Sequence, residues 1–392
     1  MLTSIAIILL LGLIMGSLLK KLHLPGLLGM ILTGIVLGPH ALNRIDESIL
    51  NISADLRQIA LVIILTRAGL SLDIAALKKV GRPAVLMCFV PACAEIVGTV
   101  LLAPKFLGVT ILEAAIIGSV IAAVSPAVIV PGMIKLIEQG YGKEHSIPHL
   151  ILAGASVDDV FVIVVFTAFV SLASEGSVSA LSFLQIPVSI LLGIVLGTLG
   201  GAVLIWFFKK FHMRDSVKIL IILSLSFLFL EVQNRLEGYV PVSGLLAIMS
   251  MGIVIKQKYD VLAVRLSSKY NKLWVAAEIF LFVLVGATVD LKYAVAAGAA
   301  AVMVVILALI FRMGGVLLCL IKSELTKKEK VFCMISYTPK ATVQAAIGAV
   351  PLGLGLSCGQ MVLTVAVLSI LITAPFGAIC IDNLYKRLLS KK

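Results

Sequence analysis

Apolar stretches long enough to cross a bilayer recur along the chain from residue 2 to residue 381, separated by short polar segments. Bounded by charges or by Gly and Pro, they read as helices near 2–19, 24–39, 56–73, 83–103, 109–137, 148–170 and 184–208. Further helices are read near 216–232, 241–256, 273–290, 293–321, 329–349 and 360–381. A membrane helix needs about 20 predominantly apolar residues, so the pattern predicts an all-α polytopic membrane protein of about thirteen spans. Hydrophobic residues make up 61% of the chain and charged residues 13%, against about 45–50% and about 25% in soluble domains. That balance excludes a soluble enzyme, a disordered chain and a nucleic-acid-binding module, and the repetition of the runs excludes a single-span receptor. No loop is long enough for an extramembrane domain, so residues 1–392 are expected to form one transmembrane unit without a nucleotide-binding domain.

The net charge of +12 acquires meaning only through its placement. Alternate connections between the spans carry 24 of the 32 Lys and Arg residues; the opposite set carries only Arg44, Arg57, Lys105, Arg235 and Lys292. The positive-inside rule assigns the basic set to the cytoplasm. It predicts an integral inner-membrane protein with its N-terminus outside and its C-terminus inside. Lys20 and Lys21 follow the first apolar run instead of preceding it, the wrong order for a cleaved signal peptide. The six cysteines form no CxxC pair and read as small buried residues.

An internal repeat follows from three ordered matches. Residues 26–36 (GLLGMILTGIV) share six of eleven identities with 244–254 (GLLAIMSMGIV), at an offset of 218. GLSLD at 69–73 matches GATVD at 286–290, and Ser125-Pro126 matches Thr338-Pro339. Seven spans separate the partners, and an odd number reverses direction, so the halves are expected to be inverted repeats with a site near the midplane.

A charge near the bilayer centre costs on the order of 2.5–3.5 kcal/mol even on lenient insertion scales, and so marks a functional candidate. Six such residues lie roughly mid-span: Arg67, Glu95, Asp158, Asp159, Arg312 and Lys340. On a helix the adjacent Asp158 and Asp159 point about 100° apart, so one can face a cavity and the other a neighbouring helix. A desolvated carboxylate can hold a proton or a small hard cation such as Na⁺ or Li⁺, and competition between the two is sufficient chemistry for exchange. Pro126 and Pro339 each remove a backbone donor and interrupt a helix, which exposes partial charges at half-helix ends. Ser125 and Thr338 offer hydroxyls there, and Lys340 is expected to neutralise negative helix ends or to pair with an aspartate. Glu95 and Arg312 are expected to pair, neither having another obvious mid-membrane partner, and Arg67 is read as a structural tie. His145 and His149, spaced i,i+4 at the cytoplasmic start of a helix, read as an ordinary interfacial face.

Four of these stretches carry a resemblance: LTRAGLSLD (65–73), AAVSPAVIVP (122–131), GASVDDV (154–160) and YTPKATVQAAIG (337–348). The chain resembles the monovalent cation:proton antiporter superfamily, with its NhaA-like sodium/proton exchanger fold, and in particular the NHA-type branch. The resemblance implies inverted repeats with two crossed discontinuous helices, and an ion and proton site at Asp158, Asp159 and Ser125. It implies moving core helices at about 83–170 and 293–381, and a dimerisation scaffold at about 1–73 and 184–290. Elevator-type alternating access in a homodimer would follow, with no cofactor beyond the transported ions. The electrogenic paired-aspartate relatives carry a lysine where this chain has Arg312. Because Arg does not deprotonate, Arg312 is excluded as a second proton carrier, and electroneutral exchange becomes plausible. A K⁺/H⁺ antiporter or K⁺ efflux system is the competing transport reading. An intramembrane aspartyl protease would need its two carboxylates on separate helices, so no enzymatic activity is expected.

Overall fold

The structure, a computed structural model, describes residues 1–22, 24–72, 81–174, 180–236, 240 and 242–391. Asp73 of the GLSLD motif and three of the cytoplasm-assigned lysines, Lys78, Lys79 and Lys392, lie outside the described residues. Within them the regular structure is helical, apart from one isolated bridge between Tyr141 and Lys391. Among the described residues, eight helical stretches are long and apolar enough to cross a membrane. They are Leu2–Lys21, Arg82–Leu107, Ile111–Gln139, Ile147–Ala173, Val188–Lys210, Asp260–Ala287, Gly298–Cys319 and Gly359–Leu388. The chain is thus an integral membrane protein.

The helices in order are α1 (Leu2–Lys21), α2 (Gly26–Leu37), α3 (Glu47–Asn51), α4 (Ser53–Ser71), α5 (Arg82–Met87) and α6 (Val90–Leu107). Then come α7 (Ile111–Ile121), α8 (Pro126–Gln139), α9 (Ile147–Ser174), α10 (Ala180–Lys210), α11 (Asp215–Leu236) and α12 (Gly244–Lys258). Last are α13 (Asp260–Ala287), α14 (Leu291–Cys319), α15 (Lys327–Ser336), α16 (Thr342–Ile347), α17 (Val350–Gly353) and α18 (Gly359–Leu388). The matched GLL motifs open α2 and α12 at Gly26 and Gly244.

Local chemistry sets the ends. Thr110 and Glu113 form a capping box on α7, and Thr326 and Glu329 form one on α15; each pair satisfies two backbone donors that a helix start leaves free. Asp290 caps α14 through the amides of Lys292 and Tyr293. Gly108 and Gly140, with φ of 67° and 78°, end α6 and α8 in the left-handed region that glycine adopts without strain.

Several apolar windows differ from the continuous helices their hydrophobicity suggests. The window 109–137 is two helices, α7 and α8, with residues 122–125 non-helical between them. The window 329–349 breaks at 337–341 and resumes as the short α16. Proline is the common cause: it has no N–H to donate and its ring crowds the preceding turn, so Pro126 starts a helix and Pro339 stands outside one. The window 83–103 divides between α5 and α6, and Pro91 lies in the first turn of α6. The window 273–290 starts too late, because the charged stretch from Asp260 continues α13 upstream.

The chain forms two compact units. One comprises residues 1–54, 75–169 and 279–392. In it α14 packs along α6, α1 along α2, and α18 along α15. Its apolar core gathers Met87, Val124, Ile129, Ile151, Val316, Phe332 and Tyr337, all essentially inaccessible. The approach of α18 to the break before α16 requires a glycine, since a Cβ on Gly377 would collide with the ring of Pro339. The other unit comprises residues 55–74 and 170–278, with α10 packed along α12.

Candidate functional site

Within the larger unit, four mid-span charges named from sequence form one buried cluster. Arg312 on α14 donates from Nη1 to Glu95 Oε2 on α6 at 3.0 Å, and from Nη2 to Asp158 Oδ2 on α9 at 2.9 Å. Lys340, in the break before α16, donates to the same Glu95 Oε2 at 2.5 Å. All four are at most 1% exposed. Two cations thus meet two carboxylates away from water, where stranding any one of them is costly. The sequence paired Glu95 with Arg312 alone and gave Lys340 to the helix ends or an aspartate. The structure instead shares Glu95 between both cations and extends Arg312 to Asp158. A guanidinium presents several donors in a rigid fork and can reach two carboxylates at once.

The same arginine satisfies main-chain groups freed by both helix interruptions. Its Nε donates to Tyr337 O at 2.6 Å, and Nη1 also contacts Ala122 O. The interruptions bond directly to one another, Ser125 N donating to Pro339 O at 2.8 Å. Gln344 adds a second clasp. Its Nε2 donates to Val120 O at 3.2 Å and Ala123 O at 2.8 Å, while its Oε1 accepts from Ala341 N at 2.8 Å. Lys340 N donates to Thr373 Oγ1 at 2.9 Å. Unpaired backbone groups at membrane depth are tolerated only where protein or a wet cavity satisfies them; here protein side chains do so. Sequence reasoning gave no role to Gln344, Tyr337 or Thr373. The signal for Gln344 was available, a lone amide inside the apolar run ATVQAAIG.

Asp158 is held by two donors on one oxygen: Val124 N reaches Oδ2 at 2.8 Å beside Arg312. Its Oδ1 has no hydrogen-bond partner, and neither does Oδ1 of Asp159 or the hydroxyl of Ser125, although all three atoms are enclosed. Buried polar atoms are nearly always paired, so these three oxygens stand out as exceptions beside the charge-balanced cluster. Ser336 Oγ and Thr342 Oγ1 are enclosed and unpartnered as well. Asp159 as a whole is half-buried, whereas Asp158 is fully enclosed.

The remaining residues named from sequence lie elsewhere or are occupied. Thr338 donates its hydroxyl to Ile335 O at 2.8 Å, one turn back, which ties up its proton locally. Pro126 is the first residue of α8, with Ser125 as its N-cap. Arg67 lies on α4 in the smaller unit, where Glu278 is the carboxylate that interacts with its charge. His145 is not a plain surface residue: its Nδ1 contacts Glu329 Oε1 at 3.0 Å. That hydrogen bond, with further help from Glu144 and Glu324, raises the imidazole pKa above its ordinary value.

Residues 5–385 match the family described as sodium/hydrogen exchanger, transmembrane. Human sodium/hydrogen exchanger 9B2 is 35% identical over 383 residues, which cover 94% of this chain and 70% of the relative. Human sodium/hydrogen exchanger 9B1 is 31% identical over 386 residues, covering 94% and 73%. Among solved structures, the sodium proton antiporter MjNhaP1 from Methanocaldococcus jannaschii at pH 8 superposes with a TM-score of 0.85. That likeness covers 99% of this chain and 98% of the other at 20% identity, and so concerns the fold alone. The family match over nearly the whole chain, with relatives above 30% identity along the same span, shows that the chain belongs to the sodium/hydrogen exchanger family of the cation:proton antiporter superfamily.

Proposed function

We propose that this chain is a secondary active antiporter that exchanges Na⁺, or Li⁺, for H⁺ across the membrane. The observation that carries the reading is three enclosed oxygens without a hydrogen-bond partner, Asp158 Oδ1, Asp159 Oδ1 and Ser125 Oγ, beside a buried cluster whose charges already cancel. Arg312 and Lys340 balance Glu95 and Asp158, so Asp159 is the surplus carboxylate. A single surplus carboxylate takes either one proton or one small cation, and the enclosed oxygens of its neighbours complete an oxygen shell of the kind a hard cation prefers. Since Arg312 keeps its proton, a cycle on this site exchanges one cation for one proton and moves no net charge.

In this reading the fold has about thirteen spans in inverted-topology repeats, with the two interrupted helices crossing at Ser125 and Pro339. The core at about 83–170 and 293–381 slides against a scaffold at about 1–73 and 184–290, carrying Asp158 and Asp159 from one side to the other. The protein works as a homodimer in the inner membrane, N-terminus outside and C-terminus in the cytoplasm, needs no cofactor and contributes to pH homeostasis. The names of the relatives concern sodium and hydrogen, which does not favour a K⁺/H⁺ antiporter or K⁺ efflux system.

The test is a pH-gradient dye assay in proteoliposomes, with Na⁺, Li⁺ and K⁺ added in turn. Na⁺ or Li⁺ is expected to collapse the gradient in the native protein and not in Asp159→Asn. No response to either ion, or an unchanged response in the variant, defeats the reading. Clamping the membrane potential tests the stoichiometry: a rate that follows the potential contradicts one-for-one exchange.

A further inference from the structure

The smaller unit contains a cavity of about 690 Å³ at the junction of α10 with α11, bordered also by the start of α13. Its wall carries Lys209, Arg214, Lys218, Arg265 and Lys269 with His212, against Asp215 as its one acidic residue. Asp215 is already engaged by Arg265 Nη2 at 3.5 Å and Lys218 Nζ at 3.8 Å. Counting Lys and Arg against Asp, four positive charges are left over in one concavity, and Lys218 is 95% buried among them. Like charges gathered in a half-enclosed space repel unless an anion joins them, and a buried ammonium needs more than one distant carboxylate.

We propose that this cavity binds a phosphate-bearing anion. Several converging cations, two of them guanidinium forks, match the multiple oxygens and dispersed charge of a phosphate better than a single carboxylate. The volume falls within the range of about 300–1,000 Å³ typical of small-molecule sites. The N-terminus of the 22-residue α11 also opens at this wall, at Arg214–Ser216, and adds the partial positive charge of free amides. The surroundings favour a membrane phospholipid as the source. Leu199, Val203 and Trp206 are each about 60% exposed on one face of α10 and run up to Lys209. Lys210 Nζ lies 5.1 Å from the Trp206 ring centroid. Exposed tryptophan with flanking lysine marks the headgroup level, so a phosphate in the cavity can leave its acyl chains along that apolar face. The proposal does not depend on the ion site: none of the cavity's residues belongs to the cluster around Asp158 and Asp159.

The experiment titrates the purified full-length chain, in a neutral detergent, with dihexanoyl phosphatidylglycerol, dihexanoyl phosphatidylcholine and glycerol 3-phosphate, reading calorimetric binding and unfolding temperature. Saturable binding of phosphatidylglycerol, at least tenfold tighter than phosphatidylcholine and weakened by salt, is expected. The variant combining K209Q, R265Q and K269Q should weaken it at least tenfold, while K327Q, K328Q and K330Q together, on α15, should leave it unchanged. Glycerol 3-phosphate binding as tightly, with the same variant dependence, assigns the site to a soluble phosphate ester. Preference for phosphatidylglycerol assigns it to lipid. Equal binding of phosphatidylcholine, or equal loss in both triple variants, overturns the proposal. If the pocket triple variant unfolds early without lipid, R265Q alone is read, with at least a threefold loss expected and no loss counting against the site.

Discussion

Arg312 donates to Asp158 at 2.9 Å, so one of two adjacent aspartates is committed to a buried ion pair, while Asp159 keeps an enclosed oxygen without a partner. The two neutralising substitutions should therefore separate stability from exchange. Asp159→Asn is expected to abolish cation-driven proton exchange, by at least a hundredfold, with an unfolding temperature equal to or above that of the native protein. Asp158→Asn leaves two buried cations facing one carboxylate and should lose about 3–5 kcal/mol of stability. Thermal unfolding in detergent, alongside the proteoliposome assay, checks both; equal destabilisation by the two would contradict the assignment.

Glu95 serves two cations, and its removal should be worse than the removal of either one alone suggests. Glu95→Gln strands Lys340, whereas Lys340→Met leaves Glu95 still paired with Arg312. The expected order of damage to unfolding temperature is Glu95→Gln above Lys340→Met. The double variant should recover part of the loss, with a coupling of about 0.5–3 kcal/mol. Additive losses in the cycle would mean that the two side chains do not depend on each other.

Gln344 joins the two helix interruptions without carrying charge. Gln344→Ala deprives Val120 O, Ala123 O and Ala341 N of partners, at a cost of about 1–3 kcal/mol for buried groups left unsatisfied. Gln344→Glu, which keeps the acceptor for Ala341 N but loses the donors, should fall in stability as well. Hydrogen exchange at residues 120–125 and 341–344 reads the loosening directly, and unchanged protection there in the alanine variant would refute the clasp.

His145 offers a pH dependence outside the membrane. Its contact with Glu329 raises the folded-state pKa above the ordinary 6.5. A raised pKa means stability that is fully present below the unfolded-state value and lost as pH rises through the higher folded-state value. The native protein should therefore exceed His145→Gln in unfolding temperature at pH 5.5, by about 1–3 °C for a partly exposed pair. The gap should close by pH 8.5. A gap that widens with pH would have the wrong sign for this pair.

Hydrophobic periodicity and the placement of proline were readable from the chain because both act locally. A run of apolar residues near 20 has one inexpensive conformation in a bilayer, the helix. Pro126 and Pro339 stand at the two interruptions, while Pro104, Pro131 and Pro375 lie inside helices, so a proline marks a candidate break that packing then keeps or overrides. The mid-span charges were equally visible, since each is costly wherever it sits in such a run. The late start given to α13 has the opposite cause: its polar first half from Asp260 carries no apolar signal, although helical backbone continues through it.

What the chain alone determined, then, is the membrane class, most of the helices, the two interruptions and the identity of the buried charges. Who pairs with whom was decided only in three dimensions. Arg312 lies 217 residues from Glu95 and 154 from Asp158, and Lys340 lies 245 from Glu95. No local spacing encodes such contacts. Ion pairing in a dry interior depends on distances of about 3 Å, and those follow from how α6, α9 and α14 pack. The sequence could name six charges; the tertiary structure made four of them a neutral cluster and left Asp159 outside it.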